Sequence, residues 1–122
     1  MLNRKEVHNS ETLNIQIDSR DQKSYLIELS KDCTKFDLNV ECLENSFSKF
    51  FILNHAESAC ELNINMVLKQ DANCQMGVLD LEKSPLKWNH YVDLKEQGAE
   101  YEILSGQLCK EHIKKVCDME VR

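Results

Sequence analysis

Short segments of alternating apolar and polar residues follow one another along the chain, and this alternation constrains the fold more than any other feature. A period of two is typical of β-strands with one buried face, whereas helices need spacings of three and four. Seven such segments begin at residues 13, 25, 36, 51, 60, 74 and 101. Most intervals are 9 to 15 residues, and the gap of 27 contains a further candidate strand around Trp88 to Leu94. The chain is therefore predicted to be all-β, as a sandwich, barrel or solenoid.

The breaks between the segments favour stacked coils over hairpins. Only three glycines and one proline occur, and the Asn-Gly and Asp-Gly pairs of tight hairpins are absent. The breaks carry Asn, Asp and Ser, which turn the chain by bonding their own backbone. Segments that start at Ser58, Ala72 and Ala99 align in phase, 14 and 27 residues apart. We therefore predict a β-solenoid of a few coils, with an antiparallel β-sandwich as the alternative.

Chain length allows one domain. The 122 residues suffice for one core but not for two. We expect residues 11–122 to form this domain and the polar residues 1–10 to be frayed. Near the other end, Cys109, Ile113 and Cys117 fall at helical spacing, so this stretch is interpreted as a short helix or as a strand with an obscured pattern.

Charge and hydrophobicity exclude several classes of protein. The net charge of −6 argues against a nucleic-acid partner, because binding phosphates needs a basic surplus. No apolar run approaches the roughly 20 residues of a membrane helix, and no apolar stretch of a secretory signal follows the N-terminus. We therefore expect a cytoplasmic protein whose six cysteines, which lack close CxxC pairs, are thiols and mostly buried.

Motifs that would indicate an enzyme are missing. The glycines are isolated, no GK[ST] phosphate loop occurs, and no GxSxG nucleophile elbow is present. Paired carboxylates such as Glu100 and Glu102 are interpreted as the solvated face of a strand. We therefore predict that the protein is not an enzyme.

A metal site is the most specific chemical prediction. Cys109 and His112 are three residues apart and Cys117 follows five later, and thiolate and imidazole ligands suit zinc, copper(I) and iron–sulfur units. A helix or turn could bring the three together, whereas a flat strand would point neighbours three apart to opposite faces. Cys60 and Cys74 occupy equivalent positions of the repeat, and we expect them to stack on one inner face as core residues.

The other histidines are assigned no chemistry. His55 is interpreted as an exposed loop residue, since it lies among Asn, Glu and Ser. His90 follows Trp88 near the start of a strand and is expected at the surface or rim. His8 is expected to be disordered.

In residues 90–106, a predicted strand ends in Asp93-Leu94 and is followed by a turn, Gly98-Ala99-Glu100 and a further strand. Through this segment, residues 56–122 resemble the core domain of the SufB/SufD family of iron–sulfur assembly scaffolds. The resemblance implies a right-handed parallel β-helix whose members pair through the C-terminal part of the helix and bind an ABC-type ATPase. The family's cluster ligands belong mainly to a segment that would follow Arg122, so we expect this chain to lack them, and no ligand position is transferred.

The first hypothesis is therefore a non-catalytic scaffold or accessory protein of SufB/SufD type in iron–sulfur cluster assembly. It would hold at most a transient iron–sulfur cluster, and would pair with itself or with a partner through an open end of the β-helix. The expected partners are an ABC-type ATPase and another SufB/SufD-type subunit, with no nucleic acid or membrane. The alternatives are a small β protein-interaction module without metal and a thiol-based metal-binding module.

Overall fold

The computed structural model describes residues 2–80, 85–94, 96–107 and 115–121, with side chains as far as residue 103. Ten strands occur in these ranges: β1 (Leu2–Val7), β2 (Ser10–Ile17), β3 (Gln22–Leu29), β4 (Lys35–Cys42), β5 (Phe47–Asn54), β6 (Cys60–Leu68), β7 (Asn73–Asp80), β8 (Leu86–Asp93), β9 (Glu100–Gln107) and β10 (Lys115–Val121).

Odd and even strands form two separate parallel sheets. Sheet A has the order β1-β3-β5-β7-β9, and sheet B has the order β10-β8-β6-β4-β2. Each coil therefore contributes one strand to each sheet, and the chain winds as a β-solenoid of about four turns. Parallel pairing throughout the described strands confirms the predicted solenoid and excludes the antiparallel sandwich. The described part of the chain contains no helix that could span a membrane.

The strand register shows which part of the sequence repeat is a structural repeat. Phe47 pairs with Asn73, and Asn73 pairs with Glu100, so successive coils here differ by 26 and 27 residues. The segments at 72 and 99 therefore stack, as predicted. Cys60 begins β6 of sheet B whereas Cys74 lies in β7 of sheet A, so the expectation that they stack on one inner face is wrong.

One corner of the solenoid is built by a column of left-handed residues. Arg20, Asn45, Asp71 and Gly98 have φ angles of 64°, 60°, 57° and 77°. Each corner is hydrogen-bonded to the next, at 3.0–3.1 Å. The N–H groups of Arg20, Asn45 and Asp71 donate to the carbonyls of Glu44, Gln70 and Gln97 in turn. Asn, Asp and Gly tolerate this conformation, which explains why the breaks are rich in such residues.

The space between the sheets is filled mainly with apolar side chains. They follow the predicted alternation in each predicted strand whose side chains are described, except β5. In β5, Phe50 and Ile52 are the inward residues, while Phe51 and Leu53 point outward. The predicted segment that begins at residue 51 had Phe51 and Leu53 as its buried residues, and this assignment is therefore wrong. The cause is that β5 is apolar on both faces, so that a period of two does not determine which face is buried.

The first coil has a partly polar interior. Strand β1 lies within residues 1–10, where fraying was expected, and it pairs with β3 along its whole length. Val7 is buried, and Asn3 and Lys5 share its inward face. The Lys5 ammonium lies 3.0 Å from the Glu11 carboxylate of β2 and thus bridges the two sheets. Inward charges of this kind discourage edge-to-edge association of exposed strands.

Candidate functional site

The predicted metal site falls largely outside the described residues. Cys109 and His112 lie outside them, and of Cys117 only the backbone is described, in β10, where it pairs with Trp88 of β8. The cluster of Cys109, His112 and Cys117 therefore stays a prediction. Among the residues with described positions, no group of three or more His, Cys, Asp or Glu side chains is placed to hold a metal ion.

The four described cysteines are buried thiols that lie in two pairs. The Sγ atoms of Cys33 and Cys60 are 3.9 Å apart. The hydrogen bond from Cys60 lowers the pKa of Cys33, and the same bond raises that of Cys60. In the second pair, a hydrogen bond with Cys74 lowers the pKa of Cys42, and the Cys42 Sγ also lies 3.6 Å from the hydroxyl of Ser48.

His90 is a core residue, so its expected place at the surface or rim was wrong. It is 2% exposed and shares the inward face of β8 with Trp88 and Val92. Its Nε2 lies 2.5 Å from the hydroxyl of Tyr101, which faces it from sheet A. Burial lowers the pKa of His90 to about 4 and raises that of Tyr101. The imidazole is thus neutral near pH 7, and its Nδ1 has no hydrogen-bond partner among the described residues.

A surface cleft of about 450 Å³ lies where β1, β3 and β5 end. It contains His8, whose Nε2 is 3.2 Å from Glu6 and whose Nδ1 is 3.2 Å from Asp32. Ser30 Oγ lies 3.1 Å from the same Nδ1. His8, expected to be disordered, is thus held between two carboxylates. His55 also lines the cleft; its side chain is 33% exposed, so it is less exposed than expected.

The contacts of Ser30 do not fit an activated nucleophile. A nucleophilic serine gives its proton to the neighbouring base. The Ser30 hydroxyl instead donates to the Val7 carbonyl at 2.7 Å and also contacts the Asp32 carboxylate. Its single proton is therefore directed to these acceptors and away from His8, so the cleft does not have the geometry of a serine hydrolase.

The outer face of sheet B carries columns of amide side chains. Asn65 donates to Asn39 at 3.0 Å, and Asn39 donates to Asn14 at 2.9 Å. In a parallel column, Asn89 donates to Asn63 at 2.8 Å and Asn63 to Asp37 at 2.7 Å. Asn ladders of this kind stabilise stacked parallel strands. Asn at intervals of 25 and 26 residues was the sequence signal of these columns.

The outer face of sheet A carries an apolar patch among polar residues instead. Phe51 is 44% exposed and lies between Leu26 and Gly77 in the register, while Leu53 is paired with Leu79 one column along. The missing side chain at Gly77 leaves a shallow groove of about 310 Å³ beside Phe51. Exposed apolar surface surrounded by polar residues marks protein contacts in many soluble proteins.

No protein-family model, curated protein or solved structure matches this chain.

Proposed function

We propose that this chain is a non-catalytic, cytoplasmic scaffold or accessory protein of SufB/SufD type that works through protein–protein contacts in iron–sulfur cluster assembly. The observation that carries the proposal is the contrast between the two outer faces of the solenoid. Sheet B is covered by amides that bond to each other, whereas sheet A presents Phe51 and its leucine neighbours to solvent. Burying such a face against a partner would be favourable in proportion to its apolar area.

The Gly98-Ala99-Glu100 segment, which carries the resemblance, lies at a corner of the solenoid, and this position supports the alignment of the chain with a β-helix. Gly98 occupies the left-handed corner, and a Cβ atom there would lie 1.9 Å from Asp71 Oδ1. The preceding corner is built by Asp71 and Ala72. It has Asp in place of the glycine and the same alanine after it. The motif thus marks a solenoid corner, and the link to cluster assembly depends on the wider resemblance.

A second subunit would join the solenoid at the end formed by β9 and β10. At the opposite end the Lys5–Glu11 pair places charge inside the first coil, which opposes the stacking of another apolar coil there. The interior at β8 is uncharged near pH 7 and mainly apolar, with Trp88 and Val92 buried on either side of the neutral His90. Self-pairing, or pairing with another SufB/SufD-type subunit, would extend both sheets by parallel or antiparallel strand addition.

A transient cluster, handled as cargo, would need ligands other than the four buried thiols. These thiols lie in two separate pairs inside the solenoid, each too small to hold a cluster by itself. Cys109, His112 and Cys117 stay the proposed ligands. Anaerobic incubation with iron and sulfide should then give a charge-transfer absorbance band that Cys109→Ser/Cys117→Ser weakens and Cys42→Ser leaves in place. Complete loss of the band in the double variant would favour the thiol-based metal module.

The contact itself is tested by size-exclusion chromatography with light scattering, for the chain alone and with an ABC-type ATPase and another SufB/SufD-type subunit. We expect a complex with the ATPase that Phe51→Ser weakens and that Asn39→Ser, on the outer face of sheet B, leaves unchanged. Pairing through the β9–β10 end should be unaffected by either variant. A band without a complex would favour the thiol-based metal module. A complex without a band would favour a protein-interaction module without metal, and the absence of both would overturn the proposal.

A further inference from the structure

Two thiols face each other across successive coils, in a place unrelated to the proposed contact surface. Cys33 lies in the connection between β3 and β4, and Cys60 is the first residue of β6. Both are buried, with Cys33 0% and Cys60 4% exposed, and their Sγ atoms are 3.9 Å apart. Burial explains neither the proximity nor the pairing, since the core could equally hold Val or Ala at both positions.

The backbone at this place has the spacing that a disulfide needs. Lys35 pairs with Glu61, and the Glu61 N–H donates to the Thr34 carbonyl at 2.9 Å. Continuing the register by one residue would place Thr34 opposite Cys60, but Thr34 is exposed and it is the buried Cys33 that lies beside Cys60. Neighbouring parallel strands are about 4.8 Å apart, which falls within the Cα separations of about 4.4–6.8 Å that disulfides span.

The two thiols differ in their hydrogen bonding. Cys60 donates to Cys33, which favours the thiolate on Cys33 and opposes it on Cys60. Burial acts against the Cys33 thiolate, and the backbone N–H of Lys35 favours it. The carboxylates of Asp32 and Glu11 act against it, and those of Asp80 and Glu61 act against a thiolate on Cys60. Because the thiolate is the nucleophile in thiol oxidation, this arrangement makes Cys33 the attacking member and Cys60 the resolving one.

We propose that Cys33 and Cys60 are a reversible oxidation site, at which hydrogen peroxide forms a disulfide that joins the second coil to the third. The Cys33 thiolate attacks one peroxide oxygen, the O–O bond breaks, and Cys33 becomes a sulfenic acid as hydroxide leaves and is protonated to water. The Cys60 sulfur then attacks the Cys33 sulfur, the S–O bond breaks, and the second water leaves. Two thiols and one peroxide thus give one disulfide and two waters. The inference is independent of the proposed function.

The second thiol pair provides a matched control within the same core. Cys42 lies in sheet B and Cys74 in sheet A, so a disulfide there would have to join the two sheets. Cys42 also contacts the Ser48 hydroxyl at 3.6 Å, which gives it a competing partner. Cys42 and Cys74 are fully buried, as Cys33 is, so burial does not distinguish the two pairs and the control tests their geometry. We expect this pair to stay reduced under conditions that oxidise Cys33 and Cys60.

The experiment uses the full-length folded chain, reduced and then exposed to hydrogen peroxide. Remaining thiols are alkylated in acidic denaturant and counted, and the digest is mapped by mass spectrometry without reduction. We expect the count to fall from six to four, with one cross-linked peptide that joins Cys33 to Cys60 and disappears on treatment with a phosphine reductant. Cys33→Ala and Cys60→Ala should each prevent the cross-link, while Cys42→Ala/Cys74→Ala should retain it.

The wild-type mapping decides the outcome even if a variant fails to fold. Retention of all thiols, cross-links confined to other cysteines, or sulfinic acid at Cys33 without a cross-link would each overturn the proposal. Circular dichroism before and after oxidation shows whether the cross-link forms in the folded chain. A Cys33–Cys60 peptide found only after loss of the β-strand signal would also overturn it.

Discussion

The buried His90 should make the stability of the protein depend on pH in the mildly acidic range. Its pKa is lowered to about 4 in the folded chain from the ordinary value of 6.5, because burial penalises the imidazolium. The unfolded chain therefore binds a proton near pH 6.5, whereas the folded chain binds it only near pH 4. The stabilisation is complete above pH 6.5 and is lost as the pH falls towards 4.

The size of this effect follows from the two pKa values. One pKa unit corresponds to about 1.4 kcal/mol, so the full difference amounts to roughly 3 kcal/mol. Between pH 7 and pH 5, the free energy of unfolding should fall by about 2 kcal/mol on account of His90 alone. That loss is a large part of the stability of a typical domain of this size.

Urea unfolding at pH 7, 6 and 5 measures the effect directly. The control is His90→Leu/Tyr101→Phe, which removes both partners of the 2.5 Å hydrogen bond and leaves no buried polar atom behind. His8→Gln, at the exposed cleft, provides the comparison with a surface histidine. Between pH 7 and pH 5, we expect the free energy of unfolding of the wild type and of His8→Gln to fall by about 2 kcal/mol more than that of the double variant. Equal losses in the wild type and the double variant would refute the reasoning.

Three further experiments test the corner, the facing of β5 and the amide columns. Gly98→Ala should lower the free energy of unfolding by more than about 1 kcal/mol in urea, since its φ is positive and the new Cβ meets Asp71, and adding Asp71→Ala should restore part of the loss. Phe51→Ala should change the free energy of unfolding by less than about 1 kcal/mol, whereas Phe50→Ala should lower it by about 3–5 kcal/mol. Equal effects of the two substitutions would contradict the observed facing of β5. Asn63→Asp should cost up to about 1 kcal/mol at pH 7, because it places a third carboxylate beside those of Asp37 and Glu61, and a loss that persists at pH 3 would contradict this cause.

The solenoid was predictable because its strands bury one face each. Alternation located the strands, and the scarcity of glycine and proline excluded tight hairpins. The alternation failed in β5, where Phe50 and Phe51 offer equivalent faces and only the neighbouring strands decide between them. The alternation also gave no prediction of β1, because Asn3 and Lys5 place polar groups on the inward side of that strand.

The candidate sites were less predictable, because they depend on contacts between coils. Histidine is intermediate among residues in its tendency to be buried, so composition alone did not indicate that His90 lies inside beside Tyr101. The Cys33–Cys60 pair joins a connecting segment to a strand 27 residues later. No local pattern indicates such a pair, since the offset depends on the lengths of two different connections. The amide columns could have been found by comparing residues one coil apart.

The left-handed corner also gives the chain a natural unit of growth. From one corner to the next, residues 47–72 begin with β5 and end just before the in-register partner of Phe47. A copy of this segment inserted after Ala72 would start and finish on the same backbone conformation, with its own corner hydrogen bonds and its own place in both sheets. Lengthening the solenoid by whole coils would therefore keep every existing contact except those between the two coils that the insertion separates. Insertions of any other size would belong in the opposite connections, which already vary in length from coil to coil.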